Sequence, residues 1–360
     1  MLKKIRVFIV DDSMSFRKML IENLSKYSEE IEVVGYAVDA FDAMRKIPTL
    51  KPDVITLDVE MPRMSGLEFL KKLLPQHPIP VILVSSLNLR LFDALSAGAV
   101  DFVRKPDMEH ITLSTFIVNL ITKIKIASMA KVHIPQQTQT QTHTPTLRHT
   151  PGVEALEKLN THLTASPLKL NSFVIAIGAS TGGTEATLAV LKNLPADTPG
   201  IVVTQHMPEG FTKMYADRLN RICNMRVREA KNGDLVERGL VLIAPGDFQM
   251  RVVRTGTHYA VKCTKEQKVS GHMPSVDVLF DSMAANVLDG MGIILTGMGQ
   301  DGAKGLLKMR QKGFYTIGQS RESCVVYGMP MEANKLGAVV QEAPCEKIPS
   351  MIIQHLNSLK

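Results

Sequence analysis

The chain has 360 residues, a formal charge of +7 and 45% hydrophobic residues, enough apolar side chain for two sizeable cores. It has no Trp and six Tyr, and its basic residues are scattered without a helix-turn-helix or finger pattern, which argues against nucleic-acid binding. The cysteines Cys223, Cys263, Cys324 and Cys345 form neither a C-x-x-C pair nor a zinc spacing, so free thiols are expected.

The opening run Ile5 to Val10 is short and ends on Asp11 and Asp12, as a strand does and a signal peptide does not. No stretch reaches the roughly 18 apolar residues of a spanning helix. Neither membrane insertion nor export is expected, and the predicted location is cytoplasmic.

Strand-like runs follow at Ile31 to Tyr36, Val54 to Leu57, Val81 to Val84 and Val100 to Val103, each leading into a helix-like stretch. Five β/α repeats predict a doubly wound parallel sheet of the flavodoxin-like kind, with its site at the carboxyl ends of the strands. The polar residues there are Asp11 and Asp12, Asp58, Ser85 and Lys105. Three converging carboxylates repel unless a cation sits among them, and Mg²⁺ suits such a hard oxygen set. Asp58 can then attack phosphorus to form an acyl phosphate, with Lys105 neutralising charge and Ser85 bonding a phosphoryl oxygen.

The runs Val10-Asp11-Asp12-Ser13, Asp58-Val59-Glu60-Met61-Pro62-Arg63-Met64-Ser65-Gly66 and Lys105-Pro106 resemble the signatures of two-component receiver domains. The resemblance implies that a histidine kinase phosphorylates Asp58 and that Mg²⁺ is held by Asp12, Asp58 and the carbonyl of Glu60, with Asp11 acting partly through water. It also implies switch positions at Ser85 and Phe102 and a cis peptide between Lys105 and Pro106. A receiver over residues 1–127 is therefore expected. Residues 128–171 lack a periodic apolar face around the Gln- and Thr-rich tract and read as a flexible tether, with a short helix over Val153 to Leu163. His133, His143 and His149 are too loosely spaced there for a metal site.

Residues 172–360 alternate again. Phe173 to Ile177, Ile201 to Thr204, Leu240 to Ala244 and Met291 to Leu295 read as buried strands, and Gln249 to Lys262 as an antiparallel hairpin around Thr255-Gly256-Thr257. Gly178-x-Ser180-x-Gly182 falls between a strand and a helix, the pattern of a nucleophile elbow, although a serine there can equally cap the helix. A nucleophilic serine needs a base and the base an orienting group. His206 and Asp301 stand just past two other strands, which makes Ser180, His206 and Asp301 a candidate triad in an order unlike that of α/β-hydrolases. Asp301 can alternatively cap a helix over Ala303 to Gln311. The glycine-rich turn also allows a phosphate-binding reading, against which counts the absence of G-x-x-x-x-G-K-[ST].

Gly178-Ala179-Ser180-Thr181-Gly182-Gly183, Gln205-His206-Met207-Pro208, Pro274-Ser275-Val276-Asp277-Val278-Leu279-Phe280, Thr296-Gly297-Met298-Gly299-Gln300-Asp301-Gly302 and Tyr327-Gly328-Met329-Pro330 resemble the motif set of the chemotaxis protein-glutamate methylesterases, the CheB family. The resemblance implies Ser180 as nucleophile, His206 as general base and Asp301 as its orienting acid. It also implies an oxyanion hole from backbone N–H groups near Met298 and Thr181. No cofactor is implied at that site. Implied partners are methyl-accepting chemoreceptors, whose glutamate methyl esters are hydrolysed and whose glutamines some members deamidate, together with the phosphodonor kinase. The chain departs from the family wording at Glu209 and Gln300, which are not triad positions. An acyltransferase or amidase using the same triad, or a non-enzymatic adaptor, stays open on the residues alone.

Overall fold

A computed structural model describes residues 3–86, 90–107, 112–132, 163–164 and 166–359. The first sheet is built from β1 (Ile5–Val10), β2 (Ile31–Ala37), β3 (Val54–Asp58), β4 (Val81–Ser85) and β5 (Asp101–Arg104), all parallel, in the order β2-β1-β3-β4-β5. Between and after them run α1 (Met14–Leu24), α2 (Ala40–Leu50), α3 (Gly66–Leu73), α4 (Arg90–Ser96) and α5 (Leu113–Ala127). The central strands β3 and β4 are buried throughout, because helices cover both faces. Side-chain caps start the helices: Ser13 accepts from the Phe16 amide, Asp39 from Asp42, and Ser65 with Glu68 forms a reciprocal capping box.

After α6 (Pro167–Ser172) comes a seven-stranded parallel sheet. Its strands are β6 (Phe173–Ala179), β7 (Gly200–Gln205), β8 (Arg226–Glu229), β9 (Leu240–Ile243), β12 (Asp289–Ile294), β13 (Tyr315–Gln319) and β14 (Gln341–Ala343), in the order β14-β13-β12-β6-β7-β9-β8. The antiparallel pair β10 (Gln249–Thr255) and β11 (His258–Thr264) forms a separate two-stranded sheet. The helices are α7 (Gly183–Leu191), α8 (Phe211–Ile222), α9 (Val276–Asn286), α10 (Ala303–Gln311), α11 (Met329–Lys335) and α12 (Ile348–Ser358). Strand order reverses at β6, whose neighbours are β7 on one side and the much later β12 on the other. That switch point opens a crevice at the carboxyl edge.

Three strands were not legible as apolar runs. β8 carries charged residues on an edge, β14 is a three-residue edge strand, and β13 mixes Tyr, Thr, Gly and Gln around Ile317. The expected cis bond before Pro106 is absent, and the cis X-Pro bond among the described residues is Met273–Pro274. The two X-Pro isomers differ by only about 0.5–1 kcal/mol, so tertiary surroundings and not the dipeptide select between them. The predicted tether helix, apart from Leu163, lies outside the described residues, as do His133, His143 and His149. All four cysteines are free thiols. Among the described residues no helix is long and apolar enough to cross a membrane.

Candidate active site

Ser180 follows β6 directly and is half-buried. Its turn is pinned on three sides. The Ser180 amide donates to the Thr296 carbonyl at 3.0 Å, and the Ser180 carbonyl accepts from the Gly183 amide and from Gln205 Nε2, each at 2.8 Å. Gly182 has φ +76° and ends the turn, a conformation glycine adopts without steric cost, and a Cβ there would also meet Val325. A Cβ at Gly178 would collide with Val276. The small residues flanking Ser180 are thus required by neighbours from two other segments.

His206 stands one residue beyond β7, its amide donating to the Ala179 carbonyl at 3.1 Å. Its buried ring places Nε2 2.8 Å from Asp301 Oδ2. A carboxylate only accepts, so Nε2 carries the proton and Nδ1 is left with its lone pair. Nδ1 is buried and has no hydrogen-bond partner among the described residues.

Asp301, after β12, is 2% exposed. Its Oδ1 accepts from Ser275 Oγ at 2.8 Å and from the Asp277 amide at 3.0 Å, and its Oδ2 also accepts from the Val276 amide at 2.7 Å. Burial pushes this carboxyl up, but the His206 bond and charge, the Asp277 amide and the Ser275 hydroxyl outweigh it and hold the group below its usual range. The helix that Asp301 serves is therefore α9, through its first-turn amides, whereas α10 is capped by Gly302. Among the described residues nothing accepts from the Thr181 or Met298 amides, and Met298 is 40% exposed.

At the carboxyl edge of the first sheet, Asp11, Asp12 and Asp58 present oxygens within 4.8 Å of one another. Lys105 Nζ lies 2.6 Å from Asp58 Oδ2 and 3.1 Å from Asp11 Oδ2. Burial raises the Asp11 carboxyl, with Lys105 opposing and Asp58 adding to the shift. Lys105 is raised despite its burial, through its bond and charge contact with Asp58 and then Asp11. The Glu60 amide donates to Asp58 Oδ1 at 3.1 Å. Ser85 Oγ donates to the Ser86 carbonyl at 2.9 Å, and the Phe102 ring packs on Phe211 of α8, centroids 4.8 Å apart.

That last contact belongs to an interface that sequence reasoning did not locate. Thr181 Oγ1, on the residue after Ser180, donates to the Asp101 carboxylate of β5, which also accepts from Lys123 Nζ at 2.6 Å. Arg218 of α8 donates to Ser96 Oγ and, at 2.9 Å, to Glu185, while Phe92 stacks on Tyr215 at 5.7 Å. Past α5, the Lys131 amide donates to the Val325 carbonyl at 2.9 Å, on the wall beside Gly182. These residues are unremarkable one at a time and come from different places in the fold, Asp101 from the start of β5, Ser96 from the end of α4 and Arg218 from within α8, so no sequence pattern marks them together.

Residues 175–352 match the CheB methylesterase family and residues 7–115 the response regulator receiver domain. A protein-glutamate methylesterase/protein-glutamine glutaminase from Syntrophomonas wolfei is 50% identical over 99% of both chains, and one from Sulfurimonas denitrificans 46% identical over 99% of both. The crystal structure of the Thermotoga maritima CheB methylesterase catalytic domain is 38% identical, covers 51% of this chain and 97% of its own, and superposes with a TM-score of 0.50. With identity of this level running from end to end, across both sheets and the crevice between β6, β7 and β12, the chain belongs to the receiver-linked protein-glutamate methylesterase/protein-glutamine glutaminase family.

Proposed function

We propose that the chain is a phosphorylation-regulated serine hydrolase that removes methyl groups from glutamate γ-methyl esters of chemoreceptors in the cytoplasm, in chemotactic adaptation. The observation that carries this is the buried His206–Asp301 pair at the switch point, with Nδ1 unpartnered among the described residues and the His206 amide bonded to the Ala179 carbonyl, one residue before Ser180. In this reading Nδ1 takes the Ser180 hydroxyl proton as Oγ attacks the γ-carbonyl. Asp301 holds the Nε2–H tautomer and faces the imidazolium, and the Thr181 and Met298 amides receive the oxyanion. The proton passes to departing methanol. Water, activated by the same nitrogen, then releases the carboxylate and restores Ser180. A glutamine amide in place of the ester expels ammonia by the same steps, giving the deamidase activity.

Asp58 is the phosphoacceptor in this proposal, with a histidine kinase as donor. The clustered carboxylate oxygens suit a hard divalent cation. Asp11, Asp12, Asp58 and the Glu60 carbonyl would hold Mg²⁺, whose chemistry is to neutralise charge on the transferred phosphoryl group. Lys105 adds its fixed charge on the same oxygens. Asp101 on Thr181 lies against the Ser180 turn, with the Phe102–Phe211 and Ser96–Arg218 contacts beside it, and phosphorylation shifts the balance by stabilising an arrangement without these contacts. Methanol release from methylated receptor membranes tests the reading, and Ser180→Ala abolishes it. A Ser180→Ala chain with undiminished turnover would end the serine-hydrolase account.

A further inference from the structure

The ring of His272 lies flat on the ring of His206, with centroids 3.6 Å apart and planes 7° from parallel. His272 belongs to a short turn closed by reciprocal backbone bonds between Val269 and His272, at 3.0 and 2.9 Å, with Ser270 at φ +53° and Gly271 at φ +83°. Gln249 Nε2 donates to the His272 carbonyl at 3.1 Å and Gln249 Oε1 accepts from the Ser275 amide at 2.8 Å, so the turn is moored at both ends. Three residues on, Ser275, Val276 and Asp277 supply the donors that hold Asp301. One loop therefore orders the acid from one side and covers the base from the other.

Among the described residues the His272 ring nitrogens make no hydrogen bond within the protein and are not among its buried unpaired atoms, so the ring's contact with the site is its face on His206. Burial, and then the neighbouring His206, lower its pKa to about 4, with Lys123 of α5 and Lys268 acting in the same direction and Asp301 opposing. The ring is neutral at neutral pH. A neutral aromatic face against a ring that becomes cationic during turnover attracts it, and most strongly where water is excluded.

We propose that His272 is a positioning residue for the ester hydrolysis: its ring keeps the His206 imidazole in the plane that reaches Asp301 and offers a π face to the imidazolium formed when His206 takes the Ser180 proton. This rests on the triad reading above. The benefit is realised only after proton transfer, so its loss falls on kcat and spares KM.

The test uses the full chain, with kcat and KM for methyl-ester hydrolysis and the unfolding midpoint measured for His272→Ala, His272→Leu and His272→Phe. His272→Ala lowers kcat roughly tenfold at nearly unchanged KM, as expected for loss of one partly desolvated cation–π contact. His272→Phe, which keeps the flat face and drops only nitrogens without a hydrogen bond to the described residues, restores most of kcat, whereas His272→Leu fills the space and does not. Recovery by Leu equal to that by Phe, a loss confined to KM, or an Ala variant as fast as the native chain overturns the proposal. If the Ala variant does not fold, the Phe and Leu pair decides it alone. Fluorophosphonate labelling of Ser180 in the native chain separates failure of this role from failure of the triad reading, because only the latter abolishes labelling.

Discussion

Asp301 accepts from four donors, one of them the catalytic-base candidate and two the opening amides of α9, so a single carboxylate joins the chemistry to the packing of a helix. Its position past β12 was readable from the glycine-rich turn around it, but the helix it serves was not, because capping from a distance leaves no local pattern. The same cluster predicts acid sensitivity. His272 titrates near its ordinary 6.5 in the unfolded chain and at about 4 in the fold, so between these values the unfolded chain binds more protons and stability falls as pH drops. Asp301, held below its usual range, contributes stability above that range and loses it as pH falls through the lower folded value. Urea titrations between pH 7 and pH 4 should show the catalytic half weakening by about 1.4 kcal/mol for each pH unit of the His272 shift at most. His272→Phe should flatten the upper part of that slope; an unaltered slope would remove His272 as its source.

Among the elements, β6 with its turn and α7 sets the geometry of the crevice. Strands buried on both faces read as unbroken apolar runs, which is why β6, β7, β9 and β12 were visible in the sequence, while edge strands with polar alternation were not. Gly178 is the tightest point of β6. It lies in register between Ile294 of β12 and Thr204 of β7, and a Cβ there would strike Val276 at the head of α9. Gly178→Ala is predicted to cost about 1–3 kcal/mol by overpacking, and to displace the Val276 amide from Asp301. The check is a lowered urea midpoint with a disproportionate fall in esterase rate, since both consequences act at one contact.

At the scale of the whole molecule, the first half meets the second through the Asp101–Thr181 and Arg218–Ser96 contacts and the Phe102–Phe211 and Phe92–Tyr215 ring pairs. The halves were each legible from their own periodicity, but this contact was not, since it joins residues about a hundred positions apart that share no pattern. Asp101 is the one whose acceptor oxygen touches the residue beside Ser180. Asp101→Asn keeps the shape and removes the charge, and a charged hydrogen bond is worth about 1.5–3 kcal/mol. Roughly tenfold higher basal esterase activity in the unphosphorylated chain is expected, read as methanol release without phosphodonor. Asp58→Asn should leave basal activity in place and abolish the increase given by a small phosphodonor with Mg²⁺. Full stimulation of that variant would show that control enters elsewhere.

The bond from the Lys131 amide to the Val325 carbonyl lies only a few residues past the end of α5 at Ala127. It moors the chain to the catalytic wall before most of the tether has begun. Any separation of the halves that keeps this bond is a rotation about a nearby pivot, in which the two surfaces stay at high mutual concentration whatever the length of the remaining tether. Shortening or lengthening the residues between α5 and Lys131 should then alter the return to basal esterase activity after the phosphodonor is removed, where changes further along the tether should not.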